Sequence, residues 1–177
     1  DPSTDPALPA RFDTDSLDRR IENKIALQIE CGLKPDSARP LIGVVSRLDH
    51  QKGFDIAAPA VRAILQEGAA QFVLLGAGAP EIQAQFEPLP ADFPGAAAVN
   101  LRFDAALANR IYGGCDIFLM PSRYEPCGTS QMTALRYGAV PLVRATGGLI
   151  STVQNYRMGR GTGFVFKQYS SATLLRT

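Results

Sequence analysis

The chain of 177 residues has no tryptophan, one histidine, three cysteines and almost no net charge, with 18 Lys plus Arg against 17 Asp plus Glu. Each scarcity excludes something. A formal charge of +1 gives no global field to attract nucleic acid or an anionic membrane surface, so any anion site has to be local. No apolar run approaches the ~18 residues that a membrane span requires. The opening DPSTDPALPARFDTD lacks the basic and apolar regions of a secretory signal. Cys31, Cys115 and Cys127 are odd in number and without CxxC or His/Cys ligand spacing, which points to reduced thiols in an intracellular compartment. A Ser-His-Asp or Cys-His apparatus would have to use His50, and nothing around that loop residue supports one.

With 46% hydrophobic and 20% charged residues the chain can bury a substantial core, and its length fits one domain. Residues 1–15, rich in Pro and Asp, read as an extended entry segment on the surface, and residues 16–177 as the domain. Leu17, Ile21, Ile25 and Ile29 recur every four residues, the pattern of an amphipathic helix ending near Gly32. The short apolar runs LIGVVSRL, QFVLLGAG, DIFLMP and AVPLV read as buried strands, with weaker ones around Ala97 to Leu101 and at GFVF. Helical stretches alternate with them: Phe54 to Gln66, Pro80 to Phe86, ALANRIYGG, Thr129 to Tyr137 and about Ser151 to Tyr156, while PLPADFPG reads as a loop. The alternation indicates an α/β fold with a parallel sheet, in which ligands bind at the carboxyl ends of the strands.

The loops at those ends carry the candidate chemistry. SRLDHQKG places Arg47 just past a strand and Lys52 before a glycine. Such cations hold a diphosphate, Arg as a planar fork and Lys as a movable point charge, or else are two solvated charges. GAGAPE lacks the third glycine of a GxGxxG fingerprint, so Gly76 and Gly78 read as sites of close backbone approach. In PSRYEPCGTSQMTALRYG, Glu125 follows a buried strand and Gly128 opens a helix whose first free amides belong to residues near Thr129 and Ser130, a ready anion site. Glu125 is then poised beside the anion, or serves only as a helix-dipole partner. Cys127 has no base beside it and reads as a packed thiol. Gly147 and Gly148 either bring amides to a ligand or simply turn the chain. Asp13 and Asp15 are explained by capping, and no metal is assigned.

Three stretches, VVSRLDHQKGFD, RIYGGCDIFLMPSRYEPCGTSQMTALRYG and VPLVRATGGLISTV, resemble in order and spacing the carboxyl-terminal domain of bacterial glycogen synthases and plant starch synthases. The resemblance extends over effectively the whole chain. It implies a Rossmann-like three-layer parallel sheet with helices on both faces, the carboxyl-terminal half of the two-domain GT-B transferase fold. It implies ADP-glucose as donor and an α-1,4-glucan as acceptor, extended by one glucose with retention at the anomeric carbon and with no cofactor or metal. By the same resemblance Arg47 and Lys52 meet the diphosphate, Thr129 and Ser130 give it backbone amides, and Glu125 stands beside the glucose. Cys127 and Gly128 touch the sugar, Phe103 stacks on adenine, and Gly76 and Gly78 belong to the donor-binding set.

Thr133 stands where many related retaining transferases have a second Glu, an acid the glycogen and starch synthases also lack. Ser151 replaces an Asp of the family's TGGLxDTV, with Ser still able to cap the helix. The family's amino-terminal domain, with its KxGGL loop, has no counterpart here, and the closing SSATLLRT reads as a helix cut short. The resemblance therefore implies a fragment that binds ADP weakly and is inactive alone, from bacterial cytoplasm or plastid stroma. Two alternatives remain: a non-catalytic nucleotide- or glucan-binding module, and a relative of sucrose-phosphate synthase.

Overall fold

The computed structural model describes residues 1–177. Six parallel strands, β1 (Leu41–Val45), β2 (Gln71–Leu75), β3 (Ala97–Asn100), β4 (Ile117–Met120), β5 (Val140–Arg144) and β6 (Phe164–Phe166), form one sheet in the order β3-β2-β1-β4-β5-β6. The helices are α1 (Arg20–Glu30), α2 (Phe54–Gln66), α3 (Pro80–Phe86), α4 (Leu89–Asp92), α5 (Ala105–Gly114), α6 (Ser130–Arg136), α7 (Gly148–Thr152) and α8 (Ser171–Arg176). The chain winds from β1 out to β3, returns to β4 and winds the other way. The order therefore reverses between β1 and β4, where Ile42 pairs with Ile117 and a crevice opens beyond the strand ends.

The strands read as continuous apolar runs because both faces of the sheet are covered. Alternate residues feed two separate cores. Leu41, Val73, Leu75 and Phe118 pack with Leu27, Leu107 and Ile111 on one face. Ile42, Val44, Phe72 and Leu74 pack with Phe54, Val61, Phe86 and Leu174 on the other. Phe86 meets Phe54 edge-on at 5.7 Å and stacks on Phe72 at 6.1 Å between ring centroids. Its replacement by Ala would cost about 3–5 kcal/mol, because close-packed neighbours cannot fill the gap.

The structure corrects four of the sequence readings. The entry segment forms no helix or strand and runs through turns instead of extending; most of its residues lie on the surface, while Leu8, Ala10 and Phe12 are buried. Asn23 brackets Ala10 with bonds of 2.9 and 2.7 Å, and Tyr137 donates to the buried Asp5 at 2.7 Å. In α1 the four-residue stripe is not the inner face. Leu17, Ile21 and Ile29 are at least half exposed, whereas Asn23, Lys24, Leu27 and Gln28 are buried. Those polar groups tolerate burial because each finds a partner: Lys24 meets Asp116 at 2.7 Å and the Ser37 carbonyl at 3.0 Å, and Gln28 donates to Gln71 at 2.6 Å. The segment read as a loop at PLPADFPG contains the single turn α4. Finally, α7 starts at Gly148 and ends at Thr152, so Ser151 lies inside it and caps nothing; Gly147 is its N-cap. By contrast Ser170 does cap α8, accepting from the Thr173 amide at 3.2 Å.

Candidate functional site

Past β1 the chain makes a 3-10 turn, His50–Lys52, and then Gly53 in the left-handed region at φ 75°. A Cβ on Gly53 would lie 2.1 Å from the Pro121 carbonyl. Glycine thus lets this loop close onto the end of β4, on the far side of the switch point. That closure delivers Lys52 to Glu125, with Nζ 2.7 Å from Oε2. The same oxygen accepts from the Ser122 hydroxyl at 3.2 Å. The side chains are 20% and 9% exposed. So sheltered a carboxylate requires its cation and hydroxyl, since removing either partner from a buried pair leaves a poorly solvated charge. No acidic residue follows Glu125 in the chain.

Beyond Glu125 the amides of Cys127, Gly128, Thr129, Ser130 and Gln131 bond to no acceptor within the protein. Successive free amides at the start of a helix form a concavity suited to an anion. The turn is held from behind. Gly147 and Gly148 pack flat on it, and Cβ atoms there would lie 1.9 Å from the Glu125 carbonyl and 2.0 Å from that of Cys127. The Gly148 amide donates to the Glu125 carbonyl at 3.0 Å. Buried Gln131 donates to the Gly128 carbonyl and to Thr152 Oγ1, both at 2.9 Å. The glycine pair therefore shapes the Glu125 turn by close backbone contact.

A hollow of about 360 Å³ lies around Lys52, Glu125, Cys127, Thr129 and Ser130. A second, also about 360 Å³, lies over β1, β2 and the start of α5, lined by Ser46, Arg47, Gly76, Arg102, Phe103 and Asp104. A small cavity of about 30 Å³ shares Val45 and Ser46 with the second hollow and Lys52 and Ser130 with the first. The three make one groove across the switch point. Phe103 is 93% exposed, its ring face available for stacking, and Arg47, 78% exposed, pairs with Asp49 at 3.3 Å. Gly76 and Gly78 fit tightly against the carbonyls of Ser46 and Leu48, and only Gly76 lines the groove. A further hollow of about 380 Å³, lined by Phe12, Leu17, Arg136 and Gly138, lies before β5 and away from these loops.

Among the thiols, burial pushes Cys31 up to about 11 and Cys115 up to about 12, so both stay protonated at neutral pH. Cys127, expected as a packed thiol, is instead exposed at the Glu125 turn. His50 meets Glu81 at 3.0 Å on the surface, remote from a nucleophile. Thr133 sits half-buried on α6, its hydroxyl bonded back to the Thr129 carbonyl at 3.3 Å. The sequence reading missed Ser122, Gln131 and Arg102 at the site. Ser122 carried a signal, since it stands three residues before Glu125 just past a buried strand.

Residues 31–177 match the family described as glycosyl transferases group 1. The chain is 50% identical to a glycogen synthase of Gloeobacter violaceus over 99% of its length, and 48% identical to one of Kosmotoga olearia over 98%. It covers 39% and 37% of those relatives, and so spans less than two-fifths of their length. The catalytic domain of starch synthase IV from Arabidopsis thaliana, bound to ADP and acarbose, superposes with a TM-score of 0.91 at 38% identity, over 98% of this chain and 37% of that one. A sucrose-phosphate synthase from Thermosynechococcus elongatus, at 21% identity and a TM-score of 0.65, shares the fold alone. A six-stranded Rossmann-like sheet, a groove across its switch point and a family match over most of the chain lead to one conclusion: the chain belongs to the group 1 glycosyl transferases.

Proposed function

We propose that this chain is the donor-binding part of a retaining glucosyltransferase that uses ADP-glucose to elongate an α-1,4-glucan. The observation that carries the reading is the Lys52–Glu125 pair at the mouth of five free amides. A cation, an anion cradle and a carboxylate thus stand within one groove. Adenine stacks on Phe103 and the diphosphate lies across the switch point, between Arg47 and Lys52 on one side and the Thr129 and Ser130 amides on the other. The glucose then projects towards Glu125, Cys127 and Gly128.

As the bond from the anomeric carbon to the diphosphate lengthens, its electron pair stays with the leaving phosphate oxygen. Negative charge grows there and positive charge grows on the sugar ring. Lys52, Arg47 and the amides meet the first, the work a metal ion performs elsewhere, and Glu125 meets the second. Stabilising groups already in place need little reorganisation at the moment of reaction. The names of the relatives, glycogen synthase and starch synthase IV with ADP, support the donor and product assigned here. The chain spans less than two-fifths of those relatives' length, and glucose transfer needs an acceptor held in place as well as the donor.

Titration calorimetry of this chain with ADP and UDP tests the proposal. Binding of ADP with a dissociation constant near the millimolar range, and weaker binding of UDP, is expected. No heat with either nucleotide at several millimolar would refute the donor site.

A further inference from the structure

The Glu125 loop, residues 121–129, contains no helix or strand, yet its carboxylate is held in one place. From the β1 side Lys52 meets Glu125 at 2.7 Å, the Gln51 carbonyl accepts from the Arg123 amide at 2.8 Å and the Tyr124 amide at 3.4 Å, and Gln51 Nε2 donates to the Tyr124 carbonyl at 3.1 Å. From the β5 side the loop is gripped by a side chain that neither the motifs nor the resemblance singled out. Arg144, the last residue of β5, donates through Nε to the Ser122 carbonyl at 2.8 Å and through a terminal nitrogen to the Arg123 carbonyl. Arg144 forms no ion pair: no carboxylate oxygen lies within 4.0 Å of it, and its fork is spent on two consecutive carbonyls of this loop. Only a planar, multi-donor group can do this, so a lysine is no equivalent.

The guanidinium is itself backed by a ring. Tyr169, just past β6, lies 5.4 Å from the Arg144 Cζ and 4.6 Å from that of Arg123, between two cations. Its hydroxyl donates to Asp55 at the start of α2, and Arg123 meets the other oxygen of Asp55 at 3.1 Å. Burial first, then the Asp55 carboxylate, raises Tyr169, so it remains a phenol donor at neutral pH. Gln51 and Arg144 thus hold the backbone of Ser122 and Arg123, Tyr169 backs the two guanidinium groups, and Ser122 passes the position on directly through its bond to Glu125.

We propose that Arg144 and Tyr169 are positioning residues that fix the Glu125 carboxylate at the sugar end of the groove. The inference rests on the donor-site reading for what Glu125 meets, and on geometry alone for the brace. Arg144 and Tyr169 bond to none of the assigned diphosphate contacts, Arg47, Lys52 and the Thr129 and Ser130 amides, and reach them only through the Glu125 turn. Loosening the brace therefore affects the glucose moiety more than ADP.

The test compares the wild-type chain with Arg144→Met, Arg144→Lys and Tyr169→Leu by calorimetry with ADP and with ADP-glucose, and by amide hydrogen exchange without ligand. Arg144→Met is expected to lower the ADP-glucose to ADP affinity ratio about tenfold, to change ADP affinity less than about twofold, and to speed exchange of the Arg123 amide about tenfold while β4 and β5 keep their protection. Arg144→Lys recovers only part of the ratio. An unchanged ratio with unchanged exchange overturns the proposal, as does equal weakening of both ligands with faster exchange throughout the sheet, the mark of a merely structural role. Should Arg144→Met not fold, Tyr169→Leu carries the same two readouts, and no change in either is equally fatal. If the wild-type chain binds neither ligand, the donor-site reading fails by itself and local exchange still decides the brace.

Discussion

The two ends of the groove are built differently. At the β2–β3 end Phe103 stands almost fully in solvent and Arg47 is held by one surface pair with Asp49. At the β4–β5 end Glu125 is buried, bonded to Lys52 and Ser122, backed by two glycines and gripped through the backbone by Arg144. An aromatic platform for a base needs only a ring face, because stacking tolerates rotation and small shifts. A carboxylate that answers charge at one atom has to be placed to a fraction of an ångström, and that precision costs packing and hydrogen bonds. Under the proposed function, order is concentrated where charge would develop.

The largest expected effect tests that rigidity. In Gly147→Ala the new Cβ has no room beside the Glu125 carbonyl, so urea denaturation should show a loss of about 3 kcal/mol or more. Phe103→Ala should stay within about 0.5 kcal/mol in the same assay; equal losses would abolish the contrast. Next comes the charge pair. Lys52→Met and Glu125→Gln should each destabilise by about 2 kcal/mol, and the double variant by much less than their sum, because a buried charge is stranded only when one partner goes. Strict additivity would show the pair to be solvent-screened. A third effect separates the ends by ligand. Lys52→Ala should weaken ADP about tenfold or more and leave adenosine almost unchanged, and equal weakening of both would remove the diphosphate role. The smallest belongs to the open end: Phe103→Ala should weaken ADP about five- to tenfold by loss of stacking, measured by calorimetry, without changing the melting temperature.

Much of the fold was legible because a sheet covered on both faces demands continuous apolar runs, and DIFLMP and QFVLLGAG are such runs. The starts of α2 and α3 fell at Phe54 and Pro80 as expected, and α5 began at Ala105, one residue before the stretch read as helical. Helix α1 was misjudged for a physical reason: periodicity identifies the apolar stripe, but a helix buries polar residues when distant partners satisfy them. Lys24 finds Asp116, Gln28 finds Gln71, and neither partner is visible in a local pattern. The span of α7 was misread because its first turn begins at two glycines, which propensity assigns to a loop. Glu125, Lys52 and Arg47 stood out by their places after buried strands, and the structure brings them to one groove. Arg144 and Tyr169 were not, since an arginine ending a strand and a tyrosine in a turn carry no local signal.

By itself the sequence determined which segments are strands, which loops end them and which residue types those loops carry, because burial and turn chemistry act over a few neighbouring residues. The tertiary structure alone decided that Lys52 meets Glu125, that Gly147 lies against the Glu125 carbonyl, and that Arg144 and Tyr169 hold Ser122 and Arg123. Such pairings join residues far apart in the chain. They exist only once strand order has brought β1, β4, β5 and β6 side by side, and a near-neutral composition gives no hint of where a buried charge will find its partner.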